Sequence, residues 1–268
     1  MSSSERQAAR YVSYWETAPG TSMPPYVALA LVSMQRALGS AFQLLTPRSV
    51  PRLIGTDFLR KSWDFEPLGF EMISEIKTIV AKSDYIRMAY VYRHGGVWLD
   101  ADTLLFRDPT MSLFPEGLTS NLHWYSEALF ASQKGNALLG RAVNAALSQK
   151  VHPWGNPGGI KALVACAPEQ LSIIPASFLD PGYRPLYNFS TCDVMRRRDI
   201  AVDEFITAPN VDILKLYNTY FTRTSTRQCS VEQFLCEETL LARLFLHIEA
   251  DPSYWIDRTD MLMAQCAT

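Results

Sequence analysis

The chain has 268 residues, 48% of them hydrophobic, with a formal net charge of -2. That length holds one large domain, or a domain with a subdomain, and supplies ample apolar material for a core. The near-balanced charge gives no electrostatic case for a nucleic-acid partner. Five cysteines (Cys166, Cys192, Cys229, Cys236 and Cys266) are odd in number, show no CxxC pairing, and form no zinc pattern with the four histidines. A reduced, cytoplasmic setting is the expectation. The opening MSSSERQAARYVSYW has no apolar signal core, and no apolar run reaches the ~18 residues that a membrane span needs. The protein is therefore expected to be soluble, or at most peripheral at the inner face of a membrane.

Taken in order, Tyr11 to Trp15 alternates large and small side chains as a first strand does. Pro24-Pro25 opens a helix to Leu38, since proline suits the first helical turn, and Gly39 ends it. Phe42 to Leu45 is a second strand, so the chain begins strand, helix, strand, like a parallel α/β sheet. A short helix near Val50 to Ile54 precedes irregular sequence, and a long helix runs from about Phe70 to Arg93. Strands follow at Val97 to Leu99, near Asn121 to Tyr125 and at Ala128 to Ser132, with an amphipathic helix over 136–149. Beyond the loop HPWGNPGG, a helix over Ile160 to Cys166 and a strand over Leu171 to Ile174 are predicted. Ser230 and Gln233 have the spacing of a capping box that opens a helix to about His247. No repeat or linker appears. A single domain is expected over 1–268, divided near its middle into stretches 1–108 and 109–268.

The chemistry concentrates in KSDYIRMAYVYRHGGVWLDADTLLFRD, Lys82 to Asp108. At helical spacing, Ile76, Ile79, Ser83, Ile86 and Tyr90 form one stripe, and Val80, Asp84, Arg87 and Val91 a second. Asp84 and Arg87 thus interrupt an apolar face, where charges are costly unless paired or used. The plainer reading is an intrahelical ion pair on an exposed face. Gly95-Gly96 suits a helix stop, and Val97-Trp98-Leu99 suits a buried parallel strand. Asp100 and Asp102 then fall at its carboxyl end, where open α/β sheets bind ligands, and strand alternation would put both carboxylates on one side. Two hard oxygen donors suit Mg²⁺ or Mn²⁺ bridging a diphosphate.

The run Ser83-Asp84-Tyr85-Ile86-Arg87, followed by Tyr92 to Asp102, resembles the DxD glycosyltransferases of the sugar-binding-region and capsular-polysaccharide-synthesis type. Their pattern, SDxxRxxxLxxxGGxYxDxD, also occurs in family 32-like enzymes, in the yeast initiating α-mannosyltransferases and in clostridial glucosylating toxins. This chain departs from it in Tyr90-Val91, where leucine is common, and in Trp98 for tyrosine, and neither change is expected to touch a polar contact. The resemblance implies a GT-A fold (α/β, with a mixed, mainly parallel central sheet), a UDP- or GDP-sugar donor, Mn²⁺ or Mg²⁺, and retention of anomeric configuration. Carried over, Asp84 and Arg87 would bind donor-sugar hydroxyls, Asp100 would contact sugar or ribose, and Asp102, with Asp100, would hold the metal. Tyr14-Trp15-Glu16 resembles the opening of the capsular relatives, which implies that Trp15 stacks on the base, although a core role is equally open. Leu216-Tyr217-Asn218 resembles a C-terminal segment that closes over metal and diphosphate, which adds Asn218 to the metal ligands. The implied acceptor is a saccharide or a lipid-linked glycan.

Three rival readings share part of this pattern. A phosphatase of the haloacid dehalogenase type also carries DxD after an apolar strand, but it wants Thr or Val four residues past the first Asp, where this chain has Leu104. A bacterial effector that glycosylates a host protein and an inactive sugar-binding relative share the DxD pattern.

Overall fold

The computed structural model describes residues 10–18, 20–55, 76–149, 160–179, 193–206, 211–221 and 228–267. They fall into two units interleaved along the sequence. The first draws on Met1–Ser22, Ala41–Asp100 and Phe114–Ile174, and the second on Met23–Ser40, Ala101–Leu113 and Pro175–Thr268.

The first unit is built on a six-stranded sheet. β1 (Tyr11–Tyr14) runs parallel to both its neighbours, β2 (Phe42–Leu45) and β3 (Gly96–Leu99). Beyond β3 lie β6 (Leu129–Ser132) and β5 (Leu122–Ser126), joined by antiparallel pairings, and then β7 (Leu171–Ile173), parallel to β5. The sheet is therefore mixed and mainly parallel, as expected. Every residue of β1 and β3 is buried, which accounts for the unbroken apolar run Val97-Trp98-Leu99. Helices α2 (Val50–Ile54), α3 (Ile76–His94), α5 (Ala137–Gln149) and α6 (Ile160–Cys166) complete the unit.

α3 corrects the two-stripe expectation. Val80 is half exposed, yet from Asp84 to Val91 every residue is buried, so this part of the helix is enclosed on all sides rather than amphipathic. Its expected beginning at Phe70 lies outside the described residues, as does the HPWGNPGG loop over 152–159. The stop is as read from sequence. Gly95 takes a left-handed φ of 72° and donates its N–H to the Val91 carbonyl at 2.8 Å, closing the helix.

The second unit holds α1 (Pro25–Leu38), buried from Tyr26 to Met34, and a two-stranded antiparallel pair, β4 (Thr103–Leu105) with β8 (Ile213–Lys215). The Ser33 hydroxyl of α1 accepts the Leu105 N–H at 3.0 Å, which fastens β4 to that helix. Short helices α4 (Thr110–Leu113), α7 (Val202–Phe205), α8 (Asn218–Phe221) and α9 (Val231–Leu235) are joined by α10 (Leu240–Ile248) and α11 (Pro252–Ala267).

The capping box at Ser230 is formed, but the single helix expected to His247 is two. α9 stops at Leu235, Glu238 takes a left-handed φ of 57°, and Thr239 caps α10 by accepting the Ala242 N–H at 3.2 Å. A second threonine cap inside the predicted span competed with continuation of the first helix. Replacing Ser230 by Ala should lower stability by about 1 kcal/mol, read as a lower denaturant midpoint at unchanged slope. Among the described residues, no helix is long and apolar enough to cross a membrane.

Candidate functional site

The carboxyl ends of β1 and β3 lie side by side, because the register sets Tyr11 against Val97 and Val12 against Trp98. Three buried charges on α3 attach to these two strand ends. Lys82 makes an ion pair with Glu16, two residues past β1, and Glu16 also accepts the Tyr14 hydroxyl. Burial pulls the Lys82 ammonium below its usual pKa, and the Glu16 carboxylate offsets part of that shift. The Tyr14 phenol is raised well above its usual value, first by burial and then by Glu16.

Arg87 is the hub at the end of β3. It is 7% exposed, sits 2.8 Å from an Asp84 oxygen and 3.5 Å from Asp100, and donates to the Glu127 carbonyl at 2.8 Å. Its guanidinium lies 5.4 Å from the Trp98 ring centroid. The Asp84–Arg87 ion pair of the plainer reading is thus present, but it is buried instead of exposed. Asp100 is fixed from both sides, since its N–H donates to the Ala128 carbonyl at 2.9 Å and its Oδ1 accepts the Trp98 indole N–H at 2.9 Å.

That indole contact corrects the expectation that Trp98 touches nothing polar. Tyr90 corrects it as well, since its hydroxyl donates to Gln43 Oε1 at 2.9 Å. Burial raises the Glu127 carboxyl above its usual range, and nearby Arg87 draws it part of the way back. Trp15 is half-buried just past β1, with its indole N–H on Thr17 Oγ1 at 2.9 Å. Strand alternation does not govern Asp100 and Asp102, because β3 ends at Leu99 and residues 100–102 form the turn into β4.

The second unit carries a separate cluster around Asp102, which is 7% exposed. Asp102 Oδ2 accepts the Asn218 backbone N–H at 2.6 Å, Oδ1 makes an ion pair with the Lys215 ammonium, and its carbonyl accepts the Leu216 N–H at 2.8 Å. The Asn218 side-chain oxygen accepts the Tyr26 hydroxyl at 2.5 Å. Tyr217, between them, adopts a left-handed φ of 54°, a strained conformation for a tyrosine that turns the chain from β8 into α8. Asp102 and Asn218 were both read from the sequence and are here brought together. Lys215, Glu127, Glu16 and Lys82 were not assigned roles. The available signal for Lys215 was one charge inside the apolar run Ile213 to Tyr217.

Residues 51–119 match the family described as the glycosyltransferase sugar-binding region containing the DXD motif. No curated protein matches the chain. Among solved structures, the chain is similar to the apo-form glycosyltransferase GlyE of Streptococcus pneumoniae TIGR4. The identity is 15%, the TM-score 0.45, and the alignment covers 93% of this chain and 62% of that one. A second structure of GlyE from the same organism gives 14% identity, a TM-score of 0.46 and coverage of 93% and 63%. PaToxG glycosyltransferase is similar at 10% identity and a TM-score of 0.39, with 95% and 86% of the two chains covered. The chain thus spans under two thirds of the length of the GlyE structures that it matches.

Proposed function

We propose that this chain is a glycosyltransferase of the GT-A type. It moves a sugar from a UDP- or GDP-linked donor to a saccharide or lipid-linked acceptor with retention of anomeric configuration. The match of residues 51–119 to the DXD sugar-binding region supports the enzyme class. The observation that carries the site is the cluster of buried Asp84 and Arg87 with partly buried Asp100 at the carboxyl end of a strand that runs parallel to β1. Buried charges of this kind add little net stability, and they fit a ligand that needs fixed acceptors.

In this reading Asp84 and Asp100 accept hydrogen bonds from the donor sugar or ribose, and Arg87 holds both carboxylates in place. Trp15, beside the end of β1, offers an indole face for the base. Asp102 and Asn218 offer hard oxygen donors in one cluster, which fits Mn²⁺ or Mg²⁺. A bound ion would supply neutralisation of the charge that develops on the departing diphosphate.

The test is thermal-shift titration of the full chain with nucleotide sugars, with and without Mn²⁺, alongside donor hydrolysis. A Mn²⁺-dependent rise in melting temperature with one nucleotide sugar is expected, and Asp102→Asn should remove it. No shift and no hydrolysis with any UDP- or GDP-sugar would defeat the reading.

A further inference from the structure

The Asp102 cluster has the donor chemistry for a divalent ion, yet its carboxylate already carries a cation. Lys215 ends β8, opposite Thr103 of β4 in the antiparallel register, which delivers its side chain to the residue just ahead of Thr103. Both partners of the ion pair are enclosed, with side-chain exposures of 7% for Lys215 and 9% for Asp102. The remaining Asp102 oxygen is taken by the Asn218 N–H, and the Asn218 side-chain oxygen by Tyr26. Among the described residues, no group of three or more His, Cys, Asp or Glu side chains gathers to hold a metal. A second carboxylate that could outweigh the ammonium is therefore not among the Asp102 contacts described above.

The geometry points to Lys215 as the resident cation of the Asp102 site, so that a divalent ion binds only by displacing its ammonium and Lys215 sets the metal affinity. The physical reason is like-charge exclusion. An ammonium and a divalent ion within a few ångströms repel strongly where water is scarce, so one carboxylate cannot hold both. Displacement has a ready direction. An ammonium on a flexible four-carbon stem, unlike a guanidinium fork, can leave one partner and re-form contacts with a phosphate oxygen. A donor diphosphate then does two things at once: it brings oxygens to the metal and gives the released ammonium an anionic partner. Metal and nucleotide are thereby coupled, each binding better in the presence of the other.

This inference rests on the proposal that Asp102 holds a metal, and the experiment separates the two. Mn²⁺ binding is followed by electron paramagnetic resonance on the full chain without nucleotide, for wild type, Lys215→Met, Lys215→Arg and Asp102→Asn. Lys215→Met should bind Mn²⁺ about tenfold or more tightly than wild type, and Lys215→Arg should not. Equal affinities in wild type and Lys215→Met, at a site that Asp102→Asn removes, would overturn the competition and leave the metal assignment standing. No Mn²⁺ binding in any variant, with or without UDP or GDP, would overturn both. Because Lys215→Met strands a buried carboxylate and can fail to fold, a second measurement uses wild type alone. Acylation of Lys215 by a small amine-reactive reagent, read by mass spectrometry, should rise when Mn²⁺ alone is bound, because the displaced ammonium then has no diphosphate to pair with. A rate unchanged at concentrations where resonance shows the ion bound would equally overturn the displacement.

Discussion

Arg87→Ala is expected to abolish measurable transfer and to cost about 3–5 kcal/mol of stability, since it leaves the buried Asp84 and the partly buried Asp100 without their shared counter-charge. The two losses have different origins. Stability falls because desolvated carboxylates lose their compensation and the Glu127 carbonyl loses a donor. Under the proposed function, activity falls because Asp84 and Asp100, the two acceptors assigned to the donor, are no longer held. Arg87→Lys separates these effects. It restores a positive charge without the fork that reaches Asp84, Asp100 and the Glu127 carbonyl together, so it should recover part of the denaturant midpoint and little of the turnover. The informative binding comparison is nucleotide sugar against free nucleotide. Arg87→Lys should weaken the nucleotide sugar far more than the nucleotide, and equal losses would remove the sugar-side role.

Gly96→Ala should be nearly as damaging, by a route that involves no charge. Gly96 has a φ of 110°, where side chains other than glycine's are strained, and an added Cβ would stand 2.5 Å from the Arg10 carbonyl oxygen. That same oxygen accepts the Val97 N–H at 2.8 Å, so backing away from the clash breaks the first rung between β1 and β3. The estimate is a loss of more than ~3 kcal/mol, seen as a sharply lower denaturant midpoint or as insoluble protein. A midpoint within experimental error of wild type would show that β1 and β3 can separate at Arg10 without consequence.

The sheet was legible because its strands are short and largely apolar, with Gly95-Gly96 opening β3 and prolines soon after β2 and β7, and Asp84, Arg87 and Asp100 could be grouped because helix spacing and a strand end both point to them. Three things were not legible, for physical reasons. β4 is three residues long, and its partner β8 lies far along the chain, so neither carries a periodic signal of its own. The partners of the charges were hidden as well. Glu127 supplies a backbone carbonyl, which its side-chain identity does not advertise, and Trp98 contributes an indole N–H to a residue two positions on. The unbroken burial of α3 from Asp84 to Val91 was missed because a helix enclosed on all sides loses the periodicity by which helices are read.

Asp102, in the turn before β4, and Lys215, in β8, are 113 positions apart and belong to a unit assembled from three separate stretches of sequence. During synthesis Asp102 emerges long before its counter-ion exists. β1 and β2, by contrast, need to close only the short excursion through α1. Loop closure over the longer distance is the slower event, so the β4–β8 pairing and its charge pair are set to be among the last contacts made. A ribosome stalled anywhere before Lys215 would therefore hold a chain whose carboxylate has no ammonium to meet.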